Sequence, residues 1–250
     1  MPEYLLFTFL FFAGLSAGLI DSIAGGGGLI TLPVLLAVGF PPHVALGTNK
    51  FQSSFGSFTA SFYYIKKGYV DLHDALYGIV FTLIGAAAGV ISVQLIDAKL
   101  LNYIIPFCLI AIIIYTFLSP KLGDIDAKPK FSLMPFYILF GLSLGFYDGF
   151  FGPGTGSFWA IAFVSGLGFN LTKATGYTKV MNFTSNIVSF VLFILGGYVV
   201  FTAGIVMAAG QIIGSKIGAE LVIKNGAKFI RPVFITIVVL TTLKLLYNLF

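Results

Sequence analysis

The sequence predicts an all-α membrane protein, a polytopic helical bundle of two inverted repeats with broken or short helices after glycine-rich turns. Three observations carry this. First, 58% of the 250 residues are hydrophobic and only 9% are charged, with a mean hydropathy of +1.01; soluble domains carry about 25% charged residues. Second, the apolar runs are about 18 to 23 residues long and lack the alternation of barrel strands, so a backbone that must satisfy itself in lipid does so as helices. Third, the chain contains one stretch twice.

That stretch is GLSAGLIDSIAGGGGLITLPVLLAVGFPPHVALGTNK, from Gly14 to Lys50, and it returns as GLSLGFYDGFFGPGTGSFWAIAFVSGLGFNLTKATGYTK, from Gly141 to Lys179. Gly14, Ser16, Gly18, Asp21, Gly25, Gly27 and Gly39 recur at one constant offset as Gly141, Ser143, Gly145, Asp148, Gly152, Gly154 and Gly166. After a slip of two residues a second constant offset relates Gly47, Lys50, Gly85, Gly89 and Lys99 to Gly176, Lys179, Gly214, Gly218 and Lys228. Self-similarity at a fixed spacing marks an internal duplication. The reading is a first transmembrane repeat at 1–120, a cytoplasmic linker at 121–130 and a second repeat at 131–250.

Taken in order, hydropathy and punctuation give segments at 3–20, 28–39, 44–65, 72–95 and 99–119, then at 131–149, 154–166, 174–195, 200–222 and 229–249. The first begins MPEYLLFTFLFFAGL, which has no basic n-region and no A-x-A site and belongs to the repeat unit, so it reads as a spanning helix and not a removed signal. The second segment of each copy is too short to cross a hydrocarbon core of about 30 Å untilted. It follows Gly25–Gly28 in one copy and Gly152-Pro153-Gly154-Thr155-Gly156 in the other, so an unwound break and a half-helix or re-entrant piece are expected. Ser119 to Lys130 is the only long polar stretch and separates the copies.

Charge sets the expected orientation. Lys66 and Lys67, then Lys121, Lys128 and Lys130, then Lys224, Lys228 and Arg231 fall in loops that share one side; only Lys99 falls in the loops between them. Basic loops stay in the cytoplasm. The equivalent loops 65–74 and 195–203 then lie on opposite sides, so the copies are inverted, and both termini are expected outside the cytoplasm of a multi-pass protein of the cell (inner) membrane. The net charge of +5 is scattered among loops, which argues against a nucleic-acid partner. The lone Cys108 excludes a disulfide framework and a multi-thiolate metal site.

Three groups of residues carry candidate chemistry. Asp21 and Asp148 interrupt apolar helices just before the glycine breaks, at an insertion cost of about 2.5–3.5 kcal/mol each at a helix centre. Each either binds a proton or cation as a coupling group, or is tied into a structural ion pair or cap. Gly25, Gly26, Gly27 and Gly28, with Gly152, Gly154 and Thr155, leave backbone N–H groups open to an anion at a starting helix. Scattered glycines such as Gly85, Gly89, Gly214 and Gly218 read as close-packing positions. Asn49, Lys50, Gln52 and Ser53, with Thr178, Lys179, Asn182 and Asn186, open the third segment of each copy, where amides and hydroxyls suit a small anion and the lysines its countercharge. The alternative has the lysines snorkelling and the amides bonding between helices. His43 and His73 read as surface loop residues, Trp159 as a packing or interfacial residue, and Lys216 with Glu220 as a structural pair.

At these residues the sequence resembles a known family. AGLIDSIAGGGGLITLP with ALGTNKFQSSFGS, and GFYDGFFGPGTGSF with GYTKVMNFTSN, are similar to the TauE/SafE sulfite exporter family of bacterial membrane proteins, over nearly the whole chain. The resemblance implies a permease for small sulfur-containing anions such as sulfite or sulfoacetate. Together with the residues it leads to a secondary transporter working by alternating access, with proton coupling through Asp21 and Asp148; an uncoupled anion channel is the alternative. The expected partners are a small anion and the lipid bilayer, and a homo-oligomer stays open. No cofactor, metal or catalytic residue is expected: H-E-x-x-H, G-x-S-x-G beside a buried histidine, and an ATP-binding P-loop are absent. A scaffold without transport activity would leave two carboxylates and two lysines inside apolar sequence without a purpose.

Overall fold

The computed structural model describes residues 2–118 and 125–226. Its helices are α1 (Glu3–Ala24), α2 (Gly28–Ala37), α3 (Pro42–Lys66), α4 (Leu72–Gln94), α5 (Ala98–Leu118), α6 (Leu133–Phe150), α7 (Thr155–Gly166), α8 (Leu171–Leu195) and α9 (Phe201–Asn225). No strand occurs among the described residues. The expected segment 229–249, and with it Arg231 and Lys228, lies outside them, as does Lys121.

Five of these helices, α1, α4, α6, α8 and α9, are long and apolar enough to cross a membrane. The chain is a polytopic all-helical membrane protein. α3 matches α8 in length at 25 residues, but its polar run from Thr48 to Ser54 lowers its hydropathy. α2 and α7 have 10 and 12 residues, so at 1.5 Å per residue they rise about 15 and 18 Å, roughly half a hydrocarbon core.

The elements pack crosswise between the copies. α1 lies along α9 and α6 lies along α4, so the first helix of each copy packs on the fourth helix of the other. Both seams depend on glycine. A Cβ on Gly14 or Gly214 would run into the backbone of Met207 or Leu15, and one on Gly85 or Gly89 into the carbonyls of Leu142 or Phe146. Small residues let helix backbones approach where lipid supplies no hydrophobic drive. Phenylalanines and isoleucines such as Phe12, Phe58, Phe62, Ile84, Ile91, Ile205 and Ile217 face outward instead.

α3 and α8 pack against each other at the centre. Leu46, near the start of α3, shares one apolar cluster with Phe193, near the end of α8. Tyr64, near the end of α3, shares a second with Tyr177, near the start of α8. The two helices therefore run in opposite directions, and their polar middles lie between apolar ends. Trp159 is buried in the second cluster, stacked on Phe163.

Three expectations need correction. His43 is not a surface loop residue: Pro42 occupies the first helical position, α3 starts there, and His43 is buried with Nε2 3.1 Å from the Val93 carbonyl and its ring stacked on Tyr198. Proline suits that position because its missing N–H would have no intrahelical partner anyway. His73 is exposed, in the first turn of α4 and not in a loop. Lys216 and Glu220 are exposed and form no ion pair; the only two ion pairs among the described residues lie elsewhere.

Candidate functional site

The site begins with two interrupted helices. α1 ends at Gly25 in the left-handed conformation (φ 77°), where its N–H donates to the Asp21 carbonyl at 2.8 Å. α6 ends at Phe150, and Gly152 and Gly154 follow at φ 101° and 82°. Glycine takes such angles without the penalty a Cβ brings. The breaks meet: a Cβ on Gly25 would lie 2.6 Å from the Gly156 Cα, and one on Gly28 would lie 3.1 Å from the Pro153 Cα.

α3 and α8 bring a buried lysine to each break, and each lysine reaches the carboxylate of the other copy. Lys50 Nζ lies 2.6 Å from Asp148 Oδ1, and Lys179 Nζ lies 3.0 Å from Asp21 Oδ2. The lysine side chains are 1% and 0% exposed, so neither snorkels to the interface. Opposite charge offsets the desolvation that an isolated buried ion would suffer, provided hydrogen bonds fill the remaining valences. At Asp148 the Ser185 hydroxyl donates to Oδ2, and Lys50 also donates to Asn186 Oδ1 at 3.3 Å. At Asp21 the Gly27 N–H donates to Oδ1 at 3.3 Å, and Lys179 also donates to the Asp21 carbonyl oxygen.

A cavity of about 30 Å³ opens where these parts converge. One water needs roughly 10–15 Å³ on this measure, so the space suits a few atoms and would have to widen for a larger guest. Of the residues singled out from sequence, its wall brings together Asp21, Gly25, Gly28, Asn49, Lys50, Ser53, Asp148, Gly152, Gly154, Thr155, Asn182 and Asn186. Gly26, Gly27, Gln52, Thr178 and Lys179 are not on the wall. Gln52 Nε2 instead donates to Asn49 Oδ1 at 2.9 Å, beside a bond from Thr31 to the same oxygen, and so fixes Asn49. Thr178 is buried without a hydrogen bond for its hydroxyl. Asn182 Oδ1 is likewise buried and unpartnered, although its side chain borders the cavity.

Gly156, from the second glycine break, is on the wall as well; sequence reasoning missed Gln211 there. Gln211 projects from α9, with its side-chain oxygen against Gly56 and Gly18. A lone amide inside an apolar helix was the available signal.

Residues 10–245 match the family described as "Sulfite exporter TauE/SafE". The chain belongs to the TauE/SafE family. A "Probable membrane transporter protein" of Haemophilus influenzae is 46% identical over 97% of this chain and 95% of its own. YfcA of Escherichia coli, also named a probable membrane transporter protein, is 46% identical over 99% of this chain and 92% of its own. A more distant relative from Methanocaldococcus jannaschii, named likewise, is 28% identical over 91% of this chain and 90% of its own. No solved structure matches. As a TauE/SafE protein the chain is a membrane transporter, and the buried charges of its cavity are the parts to be given a task.

Proposed function

We propose that this transporter carries a small sulfur-containing or organic anion, of the sulfite or sulfoacetate kind, across the cell membrane by alternating access, coupled to protons. The observation that carries the reading is the reciprocal pair of ion bridges, Lys50 to Asp148 and Lys179 to Asp21, around one small polar cavity. The cavity wall also includes Gly154, Thr155 and Gly156 at the start of α7, where backbone N–H groups and the helix dipole favour negative charge.

Both lysines are already matched by carboxylates, so an added anion would leave an excess of buried negative charge. A proton on a carboxylate offsets one unit of that excess, which is the physical reason for coupling through Asp21 or Asp148. The opposed run of α3 and α8 and the crosswise packing of α1 on α9 and α6 on α4 support two copies inverted across the membrane. Rocking of one copy against the other would open the cavity to each side in turn. On this reading residues 1–120 and 131–250 are the two moving repeats, the termini lie outside the cytoplasm, and the exposed aromatic and aliphatic faces meet lipid.

Purified protein heated with sulfite, sulfate, thiosulfate, sulfoacetate or taurine tests the substrate class, since a ligand that binds only the folded state raises the melting temperature. At least one anion should do so above a chloride control of equal ionic strength. Indifference to all of them would remove the anion reading. Counterflow of the active anion in proteoliposomes, without single-channel current, separates a carrier from an uncoupled channel.

A further inference from the structure

The two ion bridges differ in what would hold each lysine if its carboxylate lost its charge. Lys179 does not border the cavity and also donates to the Asp21 backbone carbonyl, a group that cannot titrate. Protonation of Asp21 would leave that bond in place. Lys50 borders the cavity, and among the described residues its one further hydrogen-bond partner besides Asp148 is the Asn186 amide oxygen, at 3.3 Å. Asp148 is held by two side chains, Lys50 and Ser185, and both can turn. Beside Lys50 on the same wall stands Asn182, 5% exposed, with an amide oxygen that has no partner. An unsatisfied polar atom on a residue that lines a polar cavity calls for an explanation, and a ligand or water that turns the amide is one.

Resting on the anion reading, we infer that Lys50 and Asp148 form the exchangeable pair: the substrate oxyanion takes Lys50 from Asp148, which accepts one proton, while Lys179 and Asp21 stay joined. The proton comes from bulk solvent by way of water reaching the cavity and rests on an Asp148 oxygen, where its positive charge offsets one unit of the negative charge the anion brings. The guest's oxygens then meet Lys50 and the Asn182 and Asn186 amides, whose orientation can turn to donate.

The charged groups near Asp148 fit this division. α3 offers Lys50 and α1 offers Asp21 across the cavity, the latter neutralised by Lys179 of α8. α7 has no charged residue, and the only one on α4, Asp74, sits in its first turn. Beside Asp148 on α6, the Tyr147 hydroxyl donates to the Pro153 carbonyl at 2.7 Å, and Cys108 of α5 lies near that ring.

The test is calorimetric titration of the purified full chain with whichever of sulfate, thiosulfate and sulfoacetate stabilises it most, since none of these changes charge near neutrality. Repeating it in two buffers of different ionisation heat counts protons. Wild type should take up about one proton per anion, so affinity rises up to about tenfold per unit fall in pH. Asp148→Asn should take up none and bind equally at pH 6 and 8, whereas Asp21→Asn should lower the melting temperature yet keep the proton count. The paired variant Lys50→Met/Asp148→Asn, which strands no charge, should fold and lose at least about tenfold in affinity. Zero proton uptake by wild type, or undiminished uptake by Asp148→Asn, overturns the inference and leaves anion binding standing. If no anion binds wild type, both readings fall together.

Discussion

The Asp21 and Asp148 corners share one sequence pattern at a constant spacing, yet their surroundings differ in a particular way. Both keep the carboxylate, the glycine break and a lysine delivered from the opposite copy. The Asp21 side chain is 20% exposed and its lysine is tied to backbone; the Asp148 side chain is 5% exposed and its lysine is tied to side chains. The helix seams have not parted: Gly85 and Gly89 meet α6 as Gly214 and Gly218 meet α1. Packing constrains both copies alike because each seam must close to the same distance. On the proposed mechanism only the Lys50 and Asp148 corner exchanges with substrate, and the other corner stays joined.

The largest expected effect breaks one bridge at a time. Lys50→Met strands the more deeply buried carboxylate and should cost about 3–5 kcal/mol of stability, recovered largely by adding Asp148→Asn. Lys179→Met should cost less, because Asp21 keeps the Gly27 N–H and more contact with solvent. Thermal unfolding of the four proteins reads the difference, and a larger loss at Lys179 would reverse the proposed roles. Next in size are the seams. Gly89→Val and Gly218→Val each force a branched side chain against a facing carbonyl and should lose about 1–3 kcal/mol by similar amounts. A loss at only one would show that the seams, too, have diverged. The smallest effect should come from Gln211→Leu, which removes a wall amide without stranding a charge. Stability should move by about 1 kcal/mol or less, with anion affinity falling and its pH slope kept; a flattened slope in binding assays would draw Gln211 into the proton step.

The helices and breaks were legible because lipid fixes the length of an apolar run and glycine marks where it stops. α4 begins and ends within a residue of its expected bounds and α5 begins within one; α1 runs four residues further, to Ala24, and carries Asp21 into its closing turns. What sequence concealed is partnership. Lys50 and Asp148 lie far apart in the chain, and nothing local says that each copy neutralises the other. Equivalence by repeat also misled in detail, since Lys50 and Lys179 look alike in sequence but only Lys50 reaches the cavity wall. Gln211 escaped because its counterpart by spacing is Thr82, which turns instead to the Met181 sulfur. The histidine at 43 was misplaced because two prolines in succession suggest a loop, whereas here the second begins a helix.

The most direct measurement is uptake of a labelled anion into proteoliposomes under an imposed pH gradient, for wild type and Asp148→Asn side by side. Wild type should concentrate the anion on the alkaline side, and the variant should only equilibrate it. Accumulation by Asp148→Asn equal to that of wild type would contradict the exchange of Asp148 for substrate at Lys50.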